Sequence, residues 1–176
     1  MFILGRETSL LFLVPLTAVA ISLDIARFYS DRCARVINAI FGSMMRPDEW
    51  ESQIGFRLNG ATWVLVAACL LTALFPVQIA APVFATFMVA DAAAAITGRL
   101  FGRHNWKGST RTLEGSLAFF AVSVLLLLLF PAVGLFAAFL AALVGSFAEA
   151  ATFPLNDNVR VPVIMALVIW ILSGVI

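Results

Sequence analysis

Charge-free apolar runs occupy residues 8–23, 58–90, 115–148 and 161–176, and the charged positions collect between them. A helix crossing about 30 Å of hydrocarbon needs roughly 17 to 25 apolar residues, so the two middle runs are too long for one crossing each. Pro76 and Pro82 interrupt the first of these, Pro131 and Gly134 the second. Proline removes a helical N–H donor and glycine permits a turn, so each long run reads as a helical hairpin. The pattern predicts six spans, near 8–25, 58–75, 77–98, 115–130, 132–153 and 160–176.

Composition agrees with the pattern. Of 176 residues, 62% are hydrophobic and 12% charged, with a mean hydropathy of +1.04, which argues against a disordered chain and against a soluble globular domain. The expected fold is all-α: a polytopic integral membrane bundle of about six transmembrane helices with cytoplasmic polar loops. No repeat, low-complexity tract or long linker divides the chain, so residues 1–176 read as one domain. A formal charge of +1 offers no basic field for nucleic acid. Cys33 and Cys69 have neither metal-ligand nor disulfide spacing and read as free thiols. No small-residue cleavage site follows the first apolar run, which is expected to remain as a span.

Charge then orients the bundle. Ten of the eleven basic residues fall in alternate loops, and only Arg6 lies on the other side. The positive-inside rule puts those loops in the cytoplasm and both termini outside, and a prokaryotic plasma membrane is the expected location. In the first such loop Val36, Ile37, Ile40, Phe41, Met44 and Met45 recur at helical spacing, which suits either a helix lying in the interface or a lid on the bundle.

Asp91 lies within the third span, seven residues before Gly98 and so about 10 Å below the helix end. A carboxylate there costs roughly 2.5–3.5 kcal/mol to insert and marks a functional position by default. Ala94, Ala95 and Gly98 share its face, which leaves room for a ligand or for another helix. Glu149 repeats the situation five residues before Pro154. The segment Leu155-Asn156-Asp157-Asn158 offers oxygens for a hard cation or, equally, an Asx turn between helices.

The second cytoplasmic loop combines Arg99, Arg103, Lys107 and Arg111 with Gly98, Gly102, Gly108 and Gly115, and Thr112 stands as a cap for the next helix. Helix N-terminal N–H groups and clustered cations suit a polyphosphate, although a basic loop that only sets topology has the same composition. It contains no Walker-type loop. His104, the only histidine, has no acidic partner close in sequence, so a solvated position is expected ahead of a general base. Trp106 reads as an interface anchor ahead of a stacking platform. The serines lack the companions of a hydrolase triad.

The order of these motifs resembles the polyprenol kinase family, the dolichol, phytol and CTP-dependent diacylglycerol kinases. Asp91-Ala92-Ala93-Ala94-Ala95 with Gly98-Arg99-Leu100-Phe101-Gly102-Arg103-His104 is similar to its Asp-x-x-Ala and Gly-x-x-x-Gly-basic pattern. Arg111-Thr112-Leu113-Glu114-Gly115-Ser116 resembles its Lys/Arg-Ser/Thr-x-Glu-Gly-Ser element, and Glu149, Asp157, Asn158 and Pro162 its closing element. Asp24-Ile25-Ala26-Arg27 and Met45-Arg46-Pro47-Asp48-Glu49 are weaker matches, which extend the likeness over most of residues 24–162. CDP-diacylglycerol synthases are more distantly similar, but their Lys-Asp and His-Gly-Gly…Asp-Arg endings do not occur here.

The resemblance implies a lipid kinase that moves the γ-phosphate of a nucleoside triphosphate, typically CTP with ATP as the other candidate, onto an isoprenoid alcohol or diacylglycerol. On that reading Gly98, Arg99, Gly102, Arg103, Lys107 and Arg111 hold the triphosphate. Asp91 and Asp157, with Glu149, position magnesium, while Asp91 is alternatively the base that takes the hydroxyl proton. Glu114 is a further catalytic candidate and Asn158 a further nucleotide contact. The rivals are a cytidylyltransferase that forms a CDP-lipid and a non-enzymatic transporter or assembly subunit in which Asp91 and Glu149 belong to an ion path.

Overall fold

The computed structural model describes residues 5–41 and 58–174. Seven helices follow one another in them: α1 (Gly5–Tyr29), α2 (Asp31–Phe41), α3 (Gly60–Leu74), α4 (Val77–Phe101), α5 (Leu113–Leu127), α6 (Leu135–Ala150) and α7 (Asp157–Ser173). The described residues contain no strand, so the all-α expectation holds for them. Met44, Met45 and the segment 46–49 fall outside the described residues, whereas α2 is helical through Val36 and Ile37 as their spacing expects.

Both hairpins are present. Phe75 ends α3 in an extended conformation and Pro76 opens α4, while Gly134 opens α6 after a turn over residues 128–133. Pro82 does not interrupt anything; it lies inside α4. Five residues into the helix, its missing N–H removes one bond to the first turn, and burial of the ring offsets that loss.

Two helices, α1 and α4, each 25 residues, are long and apolar enough to cross a membrane. The apolar helices α3, α5 and α6 have 15, 15 and 16 residues, about 23 Å each at the helical rise. α4 packs along α5, α5 on α6 and α6 on α7, and α7 returns to α3 and α4; α1 leans on α3 and carries α2. Small residues set the spacing: Ala80, Ala90, Ala138 and Ala141 are interleaved with Phe87, Phe119 and Met165 in the core. A methyl group on Gly145 would come within 2.8 Å of Met165 Cγ, so α6 and α7 approach as closely as glycine permits.

α1 buries a narrow polar stripe of Ser9, Thr17 and Asp24 and turns Leu11, Phe12, Leu16 and Leu23 outward. Asp24 is the anchor of that stripe. Its Oδ2 accepts from the Asn59 N–H at 2.9 Å and from the Thr62 hydroxyl at 2.7 Å, which places a carboxylate at the positive N-terminus of α3. Cys69 lies 3.1 Å from the Thr17 hydroxyl, and both cysteines are free thiols as expected.

Candidate functional site

The loop from α4 to α5 is a folded hairpin. Gly102 N–H bonds back to Gly98 and closes α4, Trp106 N–H donates to the Arg111 carbonyl, and Leu113 N–H donates to the His104 carbonyl. Gly108 takes the turn at φ +73°, where a side chain would be strained. Thr112 caps α5 as expected, its hydroxyl accepting from Gly115 N–H at 3.1 Å. Its side chain fills the space that Gly98, Gly102 and Gly115 leave open, and a Cβ on Gly115 would stand 3.0 Å from the Ala94 carbonyl oxygen. Three of the four loop glycines thus serve close packing of α4 on α5.

The hairpin delivers Arg111 to the carboxylates. Arg111 Nη1 donates to Glu149 Oε1 at 2.5 Å and Nη2 to Asp157 Oδ2 at 2.8 Å, and Asp91 Oδ1 stands 3.9 Å from Nη1. Acids from α4, α6 and α7 therefore converge on one guanidinium. Burial works against its charge, but the pull of Glu149, Asp157 and Asp91 prevails and holds Arg111 above the ordinary arginine range. Glu149 is 2% exposed, and its other oxygen accepts from the Ser116 hydroxyl, which in turn accepts from Trp106 Nε1 at 3.1 Å. Trp106, expected as an interface anchor, is thus tied into this network, with its ring edge-on to Phe147.

Arg160 was legible only as a basic residue near a helix end, yet it is buried in α7. It pairs with Asp157 and donates to the carbonyls of Ala148 and Ala151, capping the C-terminus of α6. Asn156 forms the Asx cap of α7, accepting from Asn158 N–H, so this segment takes the turn form of its two expected readings.

The three carboxylates expected to hold magnesium are together, but they are arranged around a guanidinium. Glu149 and Asp157 place both their oxygens on Arg111, Ser116 and Arg160, and among the described residues no three acidic, histidine or cysteine side chains are grouped to hold a metal. Magnesium ligation by Asp91, Glu149 and Asp157 does not fit this arrangement.

Two cavities meet at Arg111. One, of about 320 Å³, lies over the start of α5 and is lined by Gly98, Arg99, Thr110, Arg111 and Glu149. The other, of about 410 Å³, shares Thr110, Arg111 and Glu149 and continues to Asp157. Arg99 and Arg111 are thus brought to one cavity, Lys107 lines a different one beside Trp106, and Arg103 is exposed at the start of the hairpin. Glu114 stands apart from the Arg111 cluster and pairs with His104, Oε1 to Nδ1 at 2.7 Å. That bond, with backbone N–H groups, holds the Glu114 carboxyl at about 2. The acidic partner that His104 lacks in local sequence is supplied across the hairpin.

No protein-family model, curated protein or solved structure matches this chain.

Proposed function

We propose that this chain is a membrane-embedded lipid kinase that transfers the γ-phosphate of a nucleoside triphosphate to the hydroxyl of an isoprenoid alcohol or of diacylglycerol. The observation that carries the reading is the fixed Arg111. Three carboxylates from three helices align it beside a cavity that also holds Arg99 and the capped start of α5. Phosphoryl transfer asks a protein in large part for positioned cations, and this cavity supplies Arg99 and Arg111. Two of the five N–H donors of Arg111 go to Glu149 and Asp157, Asp91 stands 3.9 Å from Nη1, and the side chain is 27% exposed where a phosphate oxygen would approach. Arg111 and Arg160 face Asp91, Glu149 and Asp157, so the cluster carries one net negative charge and a phosphate needs Arg99 or a counter-ion beside it. CTP as donor, ATP as its alternative, and magnesium as the nucleotide's counter-ion enter from the motif resemblance.

The membrane part of the proposal is a six-span bundle with the hairpin on the cytoplasmic side. The outward apolar side chains of α1, α5, α6 and α7, among them Phe12, Leu125, Phe136 and Ile171, support it, because such a belt is costly in water and at home in lipid. The 15- and 16-residue helices fall short of about 30 Å of hydrocarbon and fit a locally thinned bilayer. A prokaryotic plasma membrane is the proposed location.

The test is phosphate transfer from γ-labelled CTP or ATP into an organic-soluble product by purified protein in detergent. Label from the α-position in that product instead would make the protein a cytidylyltransferase.

A further inference from the structure

A third cavity, of about 700 Å³, lies between the hairpin and the C-terminal end of α6. Its lining combines the apolar Trp106, Leu113, Phe147 and Ala150 with His104 and Lys107. Leu113 and Phe147 are 43% and 58% exposed, so apolar carbon is open to a ligand here. Ser109, Ala151 and Thr152 line this cavity and the 410 Å³ cavity that reaches Arg111, so the two adjoin. An amphipathic molecule in this cavity would meet apolar carbon from Trp106, Leu113 and Phe147 and polar groups from His104 and Lys107, next to the cavity that reaches Arg111.

We propose that this cavity receives the acceptor alcohol and that His104, oriented by Glu114, is the base that takes its proton. The assignment rests on the lipid-kinase reading and deepens it. An ionised carboxylate at Nδ1 fixes the tautomer with the proton on Nδ1 and leaves the lone pair on Nε2. Nε2 accepts the proton from the hydroxyl, the oxygen forms a bond to the γ-phosphorus, and the bond from that phosphorus to the bridging oxygen breaks. The nucleoside diphosphate leaves with the electron pair, and Nε2 then returns its proton to water. Glu114 remains ionised and steadies the imidazolium, the arrangement that serves general-base histidines elsewhere. Lys107 is the charged side chain lining the cavity beside His104, and α6 contributes Phe147, Ala150 and Ala151, which do not titrate.

The experiment uses the purified full chain and follows γ-label transfer by wild type and His104→Ala, with and without added imidazole, alongside equilibrium nucleotide binding. His104 is 74% exposed, so its truncation leaves the fold intact. The expected result is a kcat lowered by about 100-fold or more, unchanged nucleotide binding, and partial recovery with imidazole. Wild-type kcat in His104→Ala overturns the assignment. So does a loss that imidazole leaves unrestored. Absence of transfer by wild type brings down the kinase reading itself and the base with it, whereas transfer by wild type and variant alike removes only the base.

Discussion

Arg111 Nη1 donates to Glu149 Oε1 at 2.5 Å, and this bond joins the hairpin before α5 to the last turn of α6. The two residues stand 38 positions apart in the chain. Glu149 is buried almost completely, so its charge is tolerable only while the guanidinium faces it.

Arg111→Ala is expected to raise the KM for nucleotide and also to destabilise the protein by about 3 kcal/mol, the lower end for a broken buried pair because Arg111 is 27% exposed. Adding Glu149→Gln removes the stranded charge, so the double variant should be more stable than Arg111→Ala alone while its KM stays high. Thermal unfolding in detergent and nucleotide titration measure the two effects separately. An unchanged KM would take Arg111 out of the phosphate site.

Asp24→Ala strands the Asn59 N–H and the Thr62 hydroxyl at the junction of α1 and α3. The expected cost is about 2 kcal/mol, a drop of roughly 4–8 °C in Tm for a chain of this size. Asp24→Asn keeps an accepting oxygen and should lose less. Equal melting of all three proteins would mean that α1 is not held by this carboxylate.

Gly102→Ala drives a methyl group into the Gly98 carbonyl oxygen and to within 2.6 Å of Thr112 Cγ2. A cost of about 2 kcal/mol follows from that overlap. Gly108→Ala meets nothing within 4 Å and pays only for its positive φ, about 1 kcal/mol. The order of the two melting temperatures checks the packing of the hairpin on α4.

The Glu114 carboxyl should remain ionised well into acid and take its proton at about 2, against 4.5 for an ordinary glutamate. Because the folded value lies below the unfolded one, the carboxylate stabilises the fold above about 4.5. That contribution is lost as pH falls toward about 2. Carboxyl carbon NMR shifts give the titration directly, and His104→Ala should move the midpoint back up toward 4.5.

The helices were legible because charge-free runs of a given length admit few arrangements, and Pro76 and Gly134 mark true ends. Pro82 misled because a proline near the start of a helix gives up little, which the residue type does not reveal. Asp91 and Glu149 stood out singly as carboxylates in apolar surroundings, and Asp157 as an oxygen donor in a short polar segment. Arg111 stood out only as a phosphate-binding cation; its pairing with them did not, since it lies 38 and 46 residues from two of them and only the folded hairpin brings it there. The same hairpin hid the pairing of His104 with Glu114 and of Trp106 with Ser116, each ten residues apart. The i,i+3 spacing of Asp157 and Arg160 was the one local signal for the cap on α6.

The most direct measurement is γ-label transfer from CTP and from ATP into a pooled extract of isoprenoid alcohols and diacylglycerol, by wild type and Asp91→Asn side by side. The account predicts an organic-soluble phosphorylated product from wild type and at least a 100-fold lower rate from the variant, as expected when a group that aligns Arg111 is lost. No transfer by folded wild-type protein, or equal transfer by Asp91→Asn, would contradict it.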